Sequence, residues 1–191
     1  MVEIRWHGRG GQGAKTASLL LADAAFNTGK YIQGFPEYGP ERMGAPITAY
    51  NRIDDKEIRI HSNIYEPDFV VVVDDSLLTA VDVTKGLSEK GAILINSSKT
   101  IEDISKDLNG YKGNIYTLDA TKIAKEELKS NFPNTALLAG IIKISNIMSE
   151  ESLIKDMEDS FKHKFARKPE VISPNMQCLK RGFNELKGGH F

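Results

Sequence analysis

Cysteine is almost absent from this chain of 191 residues. The one cysteine, Cys178, cannot form a disulfide within the chain, and it cannot supply the four thiolates that an ordinary iron–sulfur cluster needs. The four histidines are scattered without the spacing of metal ligands. We therefore expect no metal site in this chain, and any metal centre that takes part in its chemistry would lie on another chain.

Long apolar runs and an excess of charge of one sign are also lacking. No run approaches the roughly 20 apolar residues that a membrane-spanning helix requires. The N-terminus has an acid, Glu3, and no apolar segment of the kind found in signal peptides. Basic and acidic residues number 25 and 26, so the formal net charge is −1. These absences predict a cytoplasmic protein that binds neither nucleic acid nor a membrane.

The patterns that are present alternate between strands and helices. Residues 2–7 are predicted as a strand, a glycine loop follows at 8–13, and residues 14–26 have apolar side chains at helical spacing. Further strands are predicted at 47–54, 56–62, 69–73, 92–95 and 114–118. Further helices are predicted at 77–89, 101–108, 120–129, 135–147, 150–163 and 175–187. The stretch between 31 and 46 starts extended and then becomes irregular.

This alternation favours an α/β fold of three layers, α/β/α, which is Rossmann-like, with a mainly parallel central sheet and C-terminal helices. The unbroken apolar run at 69–73 is typical of a parallel strand that is buried on both faces. We expect a single domain over residues 1–191, with a core at about 1–148 and a helical C-terminal extension at about 149–191.

The glycine loop reads Gly8-Arg9-Gly10-Gly11-Gln12-Gly13 and fits the G-x-G-x-x-G spacing of dinucleotide-binding proteins. Because it lies between a strand and a helix, its amides and the helix N-terminus predict a site for phosphate. The alternative is a tight turn that only lets the helix and the strand pack closely. A nicotinamide dinucleotide would require an acid at the end of the second strand, about 20 residues further on, to bind the ribose. The nearest acid is Glu37, which follows a proline in an irregular stretch.

Polar residues follow the central strands, and the carboxyl ends of parallel strands meet at one edge of a sheet. Asn96, Ser97 and Lys99 follow one predicted strand and are candidates for ligand binding, or else for local hydrogen bonding. For Asp75, Ser76 and Asp119, which follow two other strands, we favour capping of the next helix.

A second unusual segment is FPEYGPERMGAP at 35–46, which holds two glycines, two acids, one arginine and three prolines. Its rigidity and charge predict an interface or a ligand contact through Glu37, Glu41 and Arg42, which would order the loop or meet a neighbouring subunit. The alternative is an ordinary connection whose charged residues are solvated.

Together these motifs resemble a known family. GRGGQGAKTA, then EYGPERMGAP followed by ITAYNRI, is similar to the gamma subunits of 2-oxoacid:ferredoxin oxidoreductases, above all those of the pyruvate type. PDFVVVVDDSL, GAILINSS and NTALLAGI extend the resemblance over about residues 4–148. The pyruvate-type pattern often has two arginines before Gly-Ala-Pro, whereas this chain has Arg42 followed by Met43.

The resemblance implies a subunit that supports the oxidative decarboxylation of a 2-oxoacid. Thiamine diphosphate and iron–sulfur clusters would be carried by the alpha, beta and delta subunits, with ferredoxin as the indirect electron acceptor. Coenzyme A would bind at this chain or its boundary, and the isolated chain would be inactive. The amides of Gly10, Gly11 and Gly13, with Arg9, are then candidates for its phosphates, and Gln12, Asn96, Ser97 and Lys99 are weaker ones.

Three alternatives stay open at this point. The chain could belong to a 2-ketoisovalerate-type enzyme, because its Gly-Ala-Pro sequence is similar to both pyruvate and branched-chain enzymes. It could be a stand-alone NAD(P)-binding reductase, as the glycine spacing alone predicts. It could also be a structural subunit whose ligand site is idle.

Overall fold

The computed structural model describes residues 1–37 and 44–189, and within these residues seven strands form one sheet. In chain order the strands are β1 (Val2–Arg9), β2 (Tyr31–Glu37), β3 (Pro46–Asp54), β4 (Phe69–Val72), β5 (Ala92–Asn96), β6 (Asn114–Leu118) and β7 (Lys187–Gly189). Their order across the sheet is β2-β3-β1-β4-β5-β6-β7. Strands β1, β4, β5 and β6 are parallel, as the sequence predicts, whereas β3, β2 and β7 add antiparallel pairings at the two sides.

Helices cover both faces of this sheet. They are α1 (Ala14–Asn27), α2 (Ile101–Ser105), α3 (Ala120–Leu128), α4 (Asn134–Ser145), α5 (Glu150–Lys164) and α6 (Ile172–Asn184). Alternate residues of β4 enter different cores, because successive side chains of a strand point to opposite faces. Val71 packs in the core beneath α1 and α4, while Val70 and Val72 pack in a second core with Ile104 of α2. The predicted three-layer α/β/α architecture is confirmed.

The predicted strand at 56–62 is wrong. Strand β3 ends at Asp54, and residues 56–62, all of which the structure describes, run on without joining the sheet. Both edges of β3, the strand that this segment follows, are already paired, with β1 and with β2, so the segment cannot form a hairpin with β3. The side chain of Gln33 still ties this segment to the sheet, through Nε2 and the Ile58 carbonyl at 3.5 Å.

The predicted helix at 77–89 is replaced by a short 3-10 helix, Asp75–Thr79, and a series of turns. Local hydrogen bonds compete with helix here, since the Asp82 carboxylate accepts from Thr84 N at 3.0 Å. Gly86 has a φ of +75°, and a Cβ at this position would lie 1.9 Å from the Tyr65 carbonyl oxygen. The chain therefore turns at Gly86 so that it can pass close to Tyr65.

Candidate functional site

The candidate site lies where the strand order reverses. From β1 the chain continues towards β3 and β2 on one side of the sheet, and from β4 it continues towards β5 and β6 on the other side. In open α/β sheets ligands bind outside the carboxyl ends of the strands at such a switch point. Here residues 10–13 follow β1 and residues 73–76 follow β4, so these two loops border the crevice.

The glycines of the loop meet three different needs. Gly8 belongs to β1, and a Cβ there would lie 2.8 Å from the Ala14 Cβ, so it permits close packing of α1 on the strand. Gly11 has a φ of +90° and faces open space. Gly13 has a φ of +89°, and its Cβ would lie 2.5 Å from the amide atoms of Asn134. Gly13 caps α1 without a side-chain hydrogen bond, which leaves the helix N-terminus bordered by backbone.

Part of the loop backbone is already engaged. Gly10 N donates to Ala45 O at 2.9 Å, and Gly10 O accepts from Gly44 N at 3.3 Å. Gln12 N donates to Arg9 O at 3.0 Å. Anion binding through this loop therefore depends on the amides of Gly11, Gly13 and the first turn of α1, rather than on that of Gly10.

Two side chains of the loop reach across the switch point. Gln12 Nε2 donates to Asp74 Oδ2 at 2.5 Å, and Gln12 Oε1 accepts from Arg9 N at 2.8 Å. The Arg9 guanidinium donates to Ser76 Oγ from Nε at 3.1 Å and from Nη2 at 2.9 Å. It also donates to Gly44 O from Nη1 at 3.2 Å, and its Nε lies 3.5 Å from Asp74 Oδ2. We call Arg9, Gln12, Asp74 and Ser76 the switch-point network.

Asp74 is the charged centre of the switch-point network on the β4 side. Burial alone would raise the pKa of its carboxyl, but hydrogen bonds from Gln12 and Ser76, together with the nearby Arg9 charge, bring that pKa below its ordinary value. Asp74 is thus ionised at neutral pH, and it offsets the positive charge of Arg9.

Two cavities flank the switch-point network. The glycine-loop cavity has a volume of about 350 Å³. Its walls are formed by Gly10, Gly11, Gly13, Lys15, Thr16, Pro36, Glu37, Ile47, Phe132 and Asn134. The central cavity, of about 660 Å³, lies over the ends of β4, β5 and β6 and includes Gln12, Asp74, Asn96, Ser97, Lys122 and Lys125 in its walls. The predicted site residues are therefore not gathered in one cavity: Gly10, Gly11, Gly13 and Glu37 line the first, Gln12, Asn96 and Ser97 line the second, and Arg9 lines neither.

Asn96 and Ser97 have their hydrogen bonds within the chain. Asn96 Nδ2 donates to Val73 O and to Thr121 Oγ1, both at 2.8 Å, and its Oδ1 accepts from Thr121 N at 3.1 Å. Ser97 Oγ donates to Asp75 Oδ2 at 2.7 Å. Both residues tie strand ends together. Lys99 points elsewhere, with Nζ 3.6 Å from Asp75 Oδ2 and a half-exposed side chain on a third, smaller cavity.

Glu37 ends β2, and both of its carboxylate oxygens accept hydrogen bonds from other parts of the chain. Its Oε2 accepts from Tyr50 Oη at 2.6 Å, and its Oε1 accepts from Asn63 Nδ2 at 3.3 Å. Burial, and then this hydrogen bond to Glu37, raise the pKa of the Tyr50 phenol, so Tyr50 remains a donor. Glu41 and Arg42, the other two predicted interface residues, lie outside the described residues.

Two residues of the glycine-loop cavity, Lys15 and Thr16, are absent from the predicted site. Lys15 and Thr16 lie in the first turn of α1, directly after the glycines, where a phosphate-binding helix would present them. Asn134 is the first residue of α4 rather than its cap, which is Pro133, and its side chain packs against Gly13. Asp119 does cap its helix as predicted, accepting from Lys122 N at 3.0 Å.

The fold and the candidate site together define a class of protein. This is a doubly wound α/β domain with a glycine-rich loop at its switch point. Within residues 1–37 and 44–189, no group of three or more His, Cys, Asp or Glu side chains could hold a metal ion. Nor is any helix in that part of the chain long and apolar enough to cross a membrane.

Comparison with known proteins gives the family. The family model described as pyruvate ferredoxin/flavodoxin oxidoreductase matches residues 3–185. Pyruvate synthase subunit PorC of Thermotoga maritima is 48% identical over 185 residues, covering 97% of this chain and 94% of the relative. The common gamma subunit of the pyruvate/ketoisovalerate oxidoreductases of Thermococcus litoralis is 49% identical over 168 residues, covering 88% and 91%. The chain therefore belongs to the pyruvate ferredoxin/flavodoxin oxidoreductase family.

A solved structure agrees with this assignment. The crystal structure of pyruvate oxidoreductase subunit PORC from Thermotoga maritima matches with a TM-score of 0.86 at 44% sequence identity, covering 99% of this chain and 98% of that chain. The resemblance inferred from GRGGQGAKTA and EYGPERMGAP is thereby confirmed at the level of the family and the fold.

Proposed function

We propose that this chain is the gamma subunit of a multi-subunit pyruvate:ferredoxin oxidoreductase. The enzyme would convert pyruvate and coenzyme A to acetyl-CoA and carbon dioxide and would pass the electrons to ferredoxin. The observation that carries this proposal is the identity of 48% to a pyruvate synthase subunit over almost the whole of both chains. In the assembled, cytoplasmic enzyme, alpha, beta and delta subunits would carry thiamine diphosphate and the iron–sulfur clusters.

We further propose that the glycine-loop cavity receives phosphate groups of coenzyme A. Coenzyme A carries a pyrophosphate and a 3′-phosphate, which favour amide donors and cations. The cavity offers the N-terminus of a 14-residue helix, the left-handed backbone at Gly11 and Gly13, and the side chains of Lys15 and Thr16. These groups suit phosphate, and the chain's own task would be to bind and orient the nucleotide end of coenzyme A while partner subunits perform the redox steps.

The name of one relative includes a second 2-oxoacid. The relative from Thermococcus litoralis is named as a subunit common to pyruvate and ketoisovalerate oxidoreductases. If the same holds here, this chain would copurify with two sets of larger subunits, and the two complexes would oxidise pyruvate and 2-ketoisovalerate respectively. Purification through a tag on this chain, followed by assay with both acids, tests whether the chain belongs to two complexes. Recovery of a single complex that accepts only pyruvate would contradict it.

Replacing Arg9 with alanine is expected to raise the KM for coenzyme A about tenfold in the assembled enzyme, because a charge-assisted hydrogen bond to phosphate is lost. The KM for pyruvate should stay nearly unchanged, since pyruvate carries no phosphate. Steady-state kinetics of the purified complex measure both constants. Arg59→Ala is the matched control, because Arg59 is a surface arginine whose ion-pair partner is Glu57. Equal rises in both KM values would count against a role in coenzyme A binding.

A further inference from the structure

The switch-point network holds the two loops together. In a doubly wound fold the gap between the loops after β1 and β4 is where the ligand usually enters. Here Gln12 donates across that gap to Asp74, and Arg9 donates across it to Ser76. The crevice is therefore bridged by side chains of the protein itself.

Gln12 lines a different cavity from the glycines on either side of it in the sequence. Gln12 and Pro133 line the central cavity, whereas Gly11, Gly13 and Asn134 line the glycine-loop cavity. The side chain of Gln12 is held at both ends, by Arg9 N on its oxygen and by Asp74 on its nitrogen. Release of Gln12 from Asp74 would free the nitrogen end of this side chain, which lines the central cavity.

The charges favour competition between Asp74 and an incoming phosphate. Asp74 Oδ2 lies 3.5 Å from Arg9 Nε, and Arg9, the last residue of β1, is the basic residue of the glycine loop. A phosphate that uses Arg9 must either replace the carboxylate beside it or approach against its negative charge. Both routes lower the affinity relative to a chain without that carboxylate.

We propose that Asp74 is a positioning residue. Its carboxylate restrains Arg9 and Gln12 across the switch point, and a phosphate-bearing ligand must displace that carboxylate in order to bind. This inference rests on the proposed binding of coenzyme A at the glycine loop. It assigns Asp74 the role of setting the affinity for that ligand through Arg9 and Gln12. The carboxylate makes no contact with the reacting atoms in this role.

Asp74→Ala is expected to lower the KM for coenzyme A and its calorimetric Kd, measured on the assembled enzyme without pyruvate, by about fivefold, the effect of removing one partly buried ion pair. The KM for pyruvate should not change. Asp74→Asn keeps an acceptor for Gln12 but loses the charge. Its Kd for coenzyme A should therefore lie between those of the wild type and of Asp74→Ala. A residue with a merely structural role would weaken binding when removed, so the sign of the change separates the two roles.

Asp82→Ala is the matched control. Asp82 accepts from Thr84 N at 3.0 Å, just as Asp74 accepts from Ser76 N at 2.9 Å, so both alanine variants lose the same local turn bond. Asp82 does not line either cavity, and its variant should leave the Kd for coenzyme A unchanged.

The Arg9→Ala background separates this inference from the proposed function. If Asp74 acts through Arg9, most of the gain from Asp74→Ala should disappear when Arg9 is already alanine. An unchanged or raised Kd in Asp74→Ala overturns the restraint by Asp74, even if Arg9→Ala alone weakens coenzyme A binding as proposed. If Arg9→Ala alone leaves the KM for coenzyme A unchanged, the proposed site fails, and the inference fails with it.

Discussion

Gly13→Ala is expected to lower the free energy of unfolding by about 3 kcal/mol, the sum of a backbone and a packing term. At a φ of +89° an L-residue with a Cβ is strained, which costs about 1 kcal/mol. The added methyl would also lie 2.5 Å from the amide at the end of the Asn134 side chain, and relief of that overlap, by turning this side chain in its packed site or by shifting α4, costs about 2 kcal/mol. Urea unfolding, followed through the fluorescence of the buried Trp6, measures the change.

Gly11→Ala separates the two terms of this prediction. Gly11 has nearly the same φ, +90°, but a Cβ there would meet nothing within 4 Å, so this variant should lose only about 1 kcal/mol. Adding Asn134→Ala to Gly13→Ala should recover the packing term, which a double-mutant cycle reports directly. If Gly11→Ala and Gly13→Ala are equally destabilised, the overlap with Asn134 is not the cause.

The elements that the sequence predicts well are those whose pattern depends on burial alone. Strands β4 and β5 are buried on both faces, so their sequences are almost continuously apolar. A short run of this kind is typical of a central parallel strand. The glycine loop can also be predicted from the sequence, because positive φ values at Gly11 and Gly13 restrict the residue type directly. In both cases the local sequence reports a local constraint.

The pairing of strands across the sheet is harder to predict from the sequence, and it decides whether a nicotinamide site can form. Strand β3 is antiparallel to β1 and separates it from β2, whose last residue is Glu37. A nicotinamide site uses an acid on the strand beside β1, parallel to it. Here Glu37 is one strand further away and accepts from Tyr50, so the glycine spacing does not build that site. Nothing in the local pattern of residues 31–37 states which strand they will pair with.

The position of the candidate site could be predicted from the sequence, but the roles of its individual residues could not. Polar residues after β4 and β5 do lie at one edge of the sheet, as predicted. Which of them satisfy one another depends on distances between loops, such as the 2.8 Å from Asn96 Nδ2 to Thr121 Oγ1. Such bonds consume donors that composition alone counts as available to a ligand. For this reason Asn96 and Ser97 fit a structural role, which the sequence left open.

Acidification from pH 7 to pH 5 is expected to cost about 2 kcal/mol of unfolding free energy through His7 alone. Burial, and then the adjacent Arg5 charge, lower the pKa of His7 from 6.5 to about 3. Arg5 Nε donates to His7 Nε2 at 3.0 Å, so that nitrogen must present its lone pair. Arg5 is itself held by the carbonyls of Val83 and Lys85, at 3.1 and 2.6 Å, and it cannot turn away when His7 gains a proton.

The direction of the effect follows from proton binding. Between pH 6.5 and about 3 the unfolded chain protonates this histidine and the folded chain does not, so stability falls as the pH is lowered through that window. His7→Gln offers Arg5 an acceptor that does not titrate, and its midpoint in urea should fall less between pH 7 and pH 5 than that of the wild type. Trp6 reports both transitions, since it lies on the same strand and is fully buried. An equal fall in the two proteins would assign the acid sensitivity to other groups, because His7→Gln removes the titration while keeping the hydrogen bond.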